Sequence, residues 1–297
     1  YVAITRAKDH LYLTSEKKYG SKRESRMSRF VKEIERELFM NDTFEQALKE
    51  FAAQSGLTIQ QPTPMAPLKR GAVKIPTKLS YTQLVAFENC PYQYRFAHIL
   101  KIPSRGSHTF SYGKSMHSSL QIFYKRVMAG DIPTVEELIN IYHGAWISEW
   151  YMNKKHESEQ KAQGEQALRN FYKRNVGNFH APLFLEKGFT VGVGPYKLFG
   201  YIDRVDTYED GIEIIDYKTG KLGKTSEQLE KEMRRDKQLG IYALAMRRVF
   251  NLNPLKLSLY FLDRDEKISI EADPDHLESV EQDIVEIAQK MQTSDFK

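Results

Sequence analysis

The chain has 297 residues, of which 41% are hydrophobic and 12% are aromatic, a composition typical of a protein with a packed core. It contains no run of 18 apolar residues and opens on no signal-peptide pattern, so we expect neither a membrane span nor secretion. A single cysteine excludes a disulfide within the chain and fits a reducing cytoplasm, where we expect the protein to reside.

The net charge of +5 is carried by the first part of the chain. Residues 1–78 contain 15 basic and 9 acidic side chains, whereas residues 79–297 contain 29 and 30. The basic surplus is densest from Lys17 to Arg29 and would suit a phosphate backbone. A solvated helix surface is the alternative for any one of these side chains.

Proline and the spacing of apolar residues predict the helices. Segment 54–78 is rich in proline and indicates a linker, because it cannot sustain a helix. Ser80 is a candidate N-cap for a helix towards His98, which Pro91 should kink or split. Further helices are expected at Tyr112–Met128, Val135–Tyr151, Glu157–Asn178, Ser226–Phe250 and Pro274–Met291.

Runs of β-branched and aromatic residues predict five strands. They are expected at Phe184–Val193, Tyr196–Thr207, Gly211–Lys218, Lys256–Leu262 and Lys267–Glu271. Because helices precede, interrupt and follow these strands, the order indicates an α/β fold with a mixed central β-sheet flanked by helices.

Two carboxylates and an ammonium group are predicted to meet on one hairpin. The turn at 208–211 carries a strong hairpin signal, and pairing of its strands would bring Asp203 and Asp216 side by side. Lys218 follows two residues later on the same face as Asp216. A run of isoleucines precedes Asp216, so this charge ends a buried segment, where it needs a partner.

The chemistry of that group suits a hard divalent cation. Mg²⁺ prefers oxygen ligands and would relieve the repulsion between the two carboxylates. A lysine beside such an ion can orient an attacking water or neutralise phosphate charge in the transition state. The pattern therefore indicates a metal-dependent phosphodiesterase, with charges on a solvated strand face as the alternative.

Five motifs in order resemble the PD-(D/E)XK nucleases of the RecB type, over about residues 79–296. The matching segments are Ser80–Tyr94, Gly113–His117, Gly200–Asp203, Asp216–Lys218 and Gln238–Tyr242. The third and fourth carry the catalytic carboxylates and lysine of that family, and the last has its Q-x-x-x-Y spacing. The resemblance implies the restriction-endonuclease-like core of these nucleases.

The resemblance also implies roles for individual residues. His117, Asp203 and Asp216, with the backbone carbonyl of Tyr217, would hold one or two Mg²⁺ or Mn²⁺ ions. Lys218 would position or help to activate water for in-line attack on the phosphodiester.

Three further residues keep two interpretations each. Gln238 and Tyr242 share one helix face, and the resemblance implies contact with DNA or the active site. Core packing is the alternative for Tyr242. Glu186, on the strand before the hairpin, is either a metal-site residue or a solvated strand residue.

The first residues carry a second resemblance. Tyr1–Thr14 is similar to the last conserved motif of UvrD-type superfamily 1 helicases, which implies that Arg6 would reach the ATP γ-phosphate in a full-length helicase. The chain contains no G-x-x-x-x-G-K-[ST] loop, so we expect no ATPase activity from it. We expect a remnant of a helicase motor at 1–40, a linker at 41–78 and a nuclease domain at 79–297, all part of a longer helicase–nuclease.

Cys90 lies in a C-P-x-x-Y context in which some RecB-like nucleases place the first of four iron–sulfur ligands. That resemblance allows a [4Fe–4S] cluster in a longer chain. A cluster ordinarily needs four thiolates, so this chain alone cannot hold one. A buried small hydrophobic residue is the alternative for Cys90.

The sequence therefore predicts a Mg²⁺-dependent deoxyribonuclease, with exonuclease action expected rather than endonuclease action. Its expected partners are single-stranded DNA or duplex ends and upstream helicase motor domains, in DNA repair or recombination, and no membrane. A catalytically silent DNA-binding or docking module of a helicase is the alternative. The complete set of Asp203, Asp216 and Lys218 argues against that alternative.

Overall fold

A computed structural model describes residues 76–296 of the chain, apart from residues 104, 221 and 222. The predicted helicase remnant with Arg6 and the linker as far as residue 75 lie outside the described residues. The helices are α1 (Tyr81–Asn89), α2 (Pro91–Tyr94), a π-helix (Arg95–Ile99), α3 (His108–Met128), α4 (Val135–Ala145), α5 (Lys154–Asn175), α6 (Ser226–Met233), α7 (Lys237–Val249) and α8 (Pro274–Thr293). The strands are β1 (Lys78–Ser80), β2 (Phe184–Val193), β3 (Tyr196–Tyr208), β4 (Gly211–Lys218), β5 (Pro254–Phe261) and β6 (Glu266–Glu271). None of the described helices combines the length with the apolar character that a membrane crossing needs.

The strands form one mixed sheet in the order β1-β3-β4-β5-β6, with β2 also paired to β3. Two pairings are parallel, β1 with β3 and β4 with β5. The pairings of β2 with β3, β3 with β4 and β5 with β6 are antiparallel.

The longest strand, β3, uses its two edges differently. Along one edge β2 pairs with residues 196–205. The other edge is shared, because β1 pairs with residues 197–199 and β4 with residues 204–208. In the described part of the chain, residues 200–203 therefore have no strand partner on that edge. The sheet opens at this point, and the end of β4 lies beside the opening.

Hydrophobic layers cover both faces of the sheet. Ile214 packs in the layer that includes residues of α1, α6, α7 and α8. Ile215 and Tyr217 pack in the layer formed with α3, α4 and α5. This alternation is what a strand buried on both faces requires, and a fully buried leucine or isoleucine stabilises by about 1.5–3 kcal/mol. The predicted α/β fold with a mixed sheet between helices is confirmed.

The single helix predicted over Ser226–Phe250 is wrong, because the structure divides it into α6 and α7. Asp236 is the N-cap of α7, and its carboxylate accepts hydrogen bonds from the amides of Gln238 at 2.7 Å and Leu239 at 3.1 Å. Such a cap satisfies backbone donors that a helix start leaves free. The division places Gln238 in the first turn of α7.

Two other boundaries depend on local chemistry. Pro91 splits the first helix as predicted, since α1 ends at Asn89 and α2 begins at the proline. α3 begins at His108, earlier than the apolar pattern predicts, because the Ser107 hydroxyl accepts the Phe110 amide at 3.2 Å. The three residues of β1 are too few for a periodic signal, so this strand was not predictable from the sequence.

A buried ion pair lies on β3 next to the opening. Arg204 and Asp206 are 6% and 3% exposed, and the guanidinium donates two hydrogen bonds of 2.7 Å to the carboxylate. The guanidinium carbon of Arg204 also lies 3.9 Å from the ring centre of Tyr124 on α3. Two-point hydrogen bonding offsets the cost of removing both charges from water. The pair therefore joins β3 to α3 without leaving an uncompensated charge.

Replacing Asp206 with alanine should lower the free energy of unfolding by about 3–5 kcal/mol, because the Arg204 charge would stay buried without its carboxylate. Urea unfolding followed by circular dichroism measures this loss. Glu136→Ala is the control, since it removes an exposed partner of Arg169 and should leave the urea midpoint nearly unchanged. Equal midpoints for the two variants would contradict the interpretation.

Candidate metal centre

The two predicted aspartates meet where β3 and β4 separate. The strands pair as far as Arg204 opposite Ile215, and one more step of that register places Asp203 opposite Asp216. Instead of a main-chain bond at that step, Oδ2 of Asp203 accepts the Tyr217 amide at 2.8 Å. The carboxylate of Asp203 therefore spans the opening between the two strands.

Asp216 and Lys218 are held by a glutamine from α7. The Lys218 ammonium lies 2.6 Å from Oδ2 of Asp216 and donates to Oε1 of Gln238 at 2.9 Å. The Gln238 amide group donates to Oδ1 of Asp216 at 3.2 Å and to the Tyr242 hydroxyl at 2.7 Å. Gln238 therefore links the lysine, the aspartate and the tyrosine in one network.

The buried Oδ2 of Asp216 has one close partner, the Lys218 ammonium at 2.6 Å. Asp216 is only 3% exposed. A buried carboxylate is costly unless a positive charge compensates it, so this contact stabilises Asp216 in the fold. The same contact leaves the charge of the neighbouring Asp203 without compensation from Lys218.

Three ligand atoms gather on the other side of Asp203. One atom each from His117, Glu186 and Asp203 lies within 4.8 Å of the others, and Nδ1 of His117 is 3.4 Å from Oδ2 of Asp203. Ligands on opposite sides of a Mg²⁺ ion are about 4.2 Å apart, so a closing of the 4.8 Å limit by about 0.6 Å would bring all three atoms within reach of one ion. Two carboxylates with one imidazole form a set suited to Mg²⁺ or Mn²⁺.

Glu186 reaches this cluster through an unusual backbone conformation. Its φ of +44° lies in the left-handed region, which costs a residue with a side chain roughly 1–2 kcal/mol. The pairing of β2 with β3 skips this position, while Leu185 and Lys187 on either side remain paired. The sequence left Glu186 open between two interpretations, and no pattern in it signals the left-handed conformation.

The electrostatics of the cluster show a shortage of positive charge. Burial raises the pKa of Asp216 to about 6, against the opposing effect of Lys218 and together with the charge of Asp203. Burial and the charge of Asp203 also raise the pKa of Glu186. Burial disfavours protonation of His117, yet the nearby carboxylates, Asp203 first, raise its pKa. A divalent cation would supply the missing charge, so the residues present fit one.

The other predicted site residues are buried or partly buried. The Tyr217 side chain is buried and packs its ring against those of His117 and Tyr260. The metal contact predicted for its carbonyl stays a prediction. Tyr242 is 6% exposed and packs edge-on to Phe189, and its predicted DNA contact also stays a prediction. Cys90 is a partly buried free cysteine between α1 and α2.

Glu186→Gln should weaken Mn²⁺ binding by roughly 10- to 100-fold, because it removes one negative ligand while keeping the shape of the side chain. Melting temperatures across a Mn²⁺ titration measure this, since an ion that binds the folded state raises the melting temperature. In EDTA the variant should melt higher than the wild type, because fewer like charges then repel. The control is Glu159→Gln on the exposed surface of α5. A titration curve equal to that of the wild type would exclude Glu186 as a ligand.

Comparison with known proteins identifies the family of the chain. A sequence profile of the PD-(D/E)XK nuclease superfamily matches residues 78–297. No curated protein matches the chain. Among solved structures, similarity extends to a candidate exonuclease from Eubacterium rectale, at 12% identity and a TM-score of 0.44, over 78% of this chain and 87% of that one. It also extends to the protein SSO0001, at 17% identity and a TM-score of 0.33, over 87% and 91% of the two chains. Both structural similarities are weak, and the assignment rests on the profile: the chain belongs to the PD-(D/E)XK nuclease superfamily.

Proposed function

We propose that this protein hydrolyses phosphodiester bonds of DNA with the help of Mg²⁺ or Mn²⁺. The observation that carries the proposal is the meeting of Asp203, Asp216 and Lys218 at the opening of the sheet, next to His117 and Glu186. A lysine beside a buried carboxylate, on the strand next to a cluster of metal-type ligands, suits metal-assisted hydrolysis. Membership of a nuclease superfamily supports the same reaction.

The side chains divide the work of the reaction. A bound divalent cation would screen the charge of the scissile phosphate and activate the attacking water. His117, Glu186 and Asp203 would hold that ion. Lys218 places a fixed positive charge beside the ion site, which stabilises the negative charge that develops on the phosphate oxygens. Gln238 fixes the position of the ammonium group.

We propose further that the domain works as the C-terminal part of a RecB-like helicase–nuclease in DNA repair or recombination. The support is the similarity of Tyr1–Thr14, with Arg6, to a helicase motif, together with the order of the nuclease motifs. In such an arrangement the motor would deliver the strand, so the nuclease domain would need little basic surface of its own.

Asp216→Ala and Lys218→Ala should each abolish cleavage, because each removes a charged group from the proposed reacting centre. Circular dichroism and DNA binding of both variants separate this loss from unfolding. The assay follows labelled linear single- and double-stranded DNA with Mg²⁺ or Mn²⁺, against an EDTA control. A ladder of short products would indicate action from the ends, and long internal fragments would indicate endonuclease action. If wild-type protein binds DNA but never cuts it, the docking-module alternative is favoured.

Gln238→Ala should lower kcat by roughly 10- to 100-fold with KM nearly unchanged, because Lys218 loses the oxygen that holds its ammonium group. Tyr242→Phe is the matched control, since it removes only the hydroxyl that Gln238 contacts and should cost less. Steady-state kinetics on single-stranded DNA separate the two quantities. A higher KM with an unchanged kcat would instead support direct contact between Gln238 and DNA.

A further inference from the structure

An open groove of about 510 Å³ runs along α3 beside the candidate metal centre. Its lining includes Phe110, Lys114, His117 and Gln121 from α3, and Glu186 from β2. The four α3 residues follow the i, i+4, i+7, i+11 spacing of one helix face. Two of the five, His117 and Glu186, belong to the metal-ligand cluster, so the groove leads directly to the proposed reaction centre.

Phe110 is an unusual side chain for the wall of an open groove. It is 62% exposed, although a phenylalanine at a surface normally buries most of its ring. The Lys114 ammonium lies 5.9 Å from the centre of its ring. The helix rises by about 10 Å from Phe110 to His117, so the Phe110 ring lies about two helical turns from the candidate metal ligands.

A second exposed aromatic side chain faces the same side of the sheet. Tyr201 is 64% exposed and pairs across β2 with Gly188. Its ring covers that glycine so closely that a Cβ there would lie 3.2 Å from Cε1 of Tyr201. Its neighbour Ile202 points into the layer that includes α7 and α8. By alternation, Tyr201 points to the opposite side, on which α3 packs.

We propose that Phe110 and Tyr201 form stacking surfaces for the bases of an unpaired DNA strand, with Lys114 contacting its phosphates. This assignment rests on the proposed nuclease function and specifies the substrate form for it. Within a duplex the base faces are already stacked, so an aromatic side chain can cover them only in an unpaired strand. Exposed aromatic side chains with a lysine beside them are the combination that single-strand binding uses.

Binding of fluorescent oligonucleotides to the full 297-residue chain in EDTA tests the proposal without requiring cleavage. Phe110→Leu and Tyr201→Leu should each weaken single-strand binding by roughly 5- to 100-fold, whereas binding to a blunt duplex should change little. Phe110→Trp should retain binding, because it keeps an aromatic face. A 2-aminopurine base in the strand should lose fluorescence on binding to the wild type and less on binding to Phe110→Leu.

Phe96→Leu is the matched control, because Phe96 is 45% exposed on the π-helix and does not line this groove. The proposal is overturned if Phe110→Leu and Tyr201→Leu bind single strands as tightly as the wild type. It is also overturned if the wild type does not bind them, or if the control loses as much affinity.

Cleavage assays separate the two proposals. If the wild type cuts DNA and the Phe110→Leu and Tyr201→Leu variants bind single strands as it does, only the stacking proposal is refuted. If binding depends on Phe110 but the wild type does not cut DNA, only the proposed nuclease function is refuted.

Discussion

The opening on one edge of β3 is the constraint on which the rest of the site depends. Residues 200–203 leave the pairing that β1 and β4 provide on either side, in the part of the chain that the structure describes. Backbone groups without partners are costly unless side chains, water or a ligand satisfy them. Asp203 meets part of that demand by accepting the Tyr217 amide. The Asp203 carboxylate that bridges the two strands is therefore also the one that contacts His117. One side chain serves both the fold and the candidate metal centre.

Two groups of charged side chains lie close together on β3 and β4, and they differ in how their charges balance. Arg204 and Asp206 form a complete pair with two hydrogen bonds, and such a pair needs nothing further. Asp203 and Asp216 carry like charges, which the Lys218 ammonium opposes at Asp216 and the His117 ring opposes at Asp203 when it is protonated. An incomplete set costs stability when no ligand is present, and that cost becomes binding energy for a cation. The Arg204–Asp206 pair thus stabilises the fold, whereas the Asp203–Asp216 pair favours the binding of a cation.

The parts of the site that the sequence predicted are those governed by short-range rules. The turn signal and the two-residue period of strands located Asp203, Asp216 and Lys218 together. Four-residue helical spacing placed Gln238 and Tyr242 on one face, and the structure joins them by a hydrogen bond. The runs of β-branched and aromatic residues and the order of the elements were enough for the sheet between helical layers, because both faces of β4 are buried.

The parts that the sequence did not predict depend on tertiary structure. The division between α6 and α7 lies in a stretch of good helix formers, and only the Asp236 cap reveals it. The left-handed conformation of Glu186 is disfavoured locally and is held by the pairing on both sides of it. The Asp236 cap fixes the direction of the Gln238 side chain, and the left-handed backbone fixes the direction of the Glu186 side chain. Local propensity therefore fails at the two places where the backbone brings a side chain to the candidate metal centre, and such failures are typical of functional positions.

The packing of α3 fixes the position of His117. One face of this helix is buried in the core through Met116, Leu120 and Phe123. The opposite face carries the groove residues, with His117 directly after the buried Met116. Successive residues of a helix are turned by about 100°, so any rotation that removed His117 from Asp203 would also pull Met116 out of the core. Removing a buried methionine costs about 2–5 kcal/mol, which is far more than a weak ligand contact could recover. The position of His117, a candidate metal ligand, is therefore fixed by apolar packing.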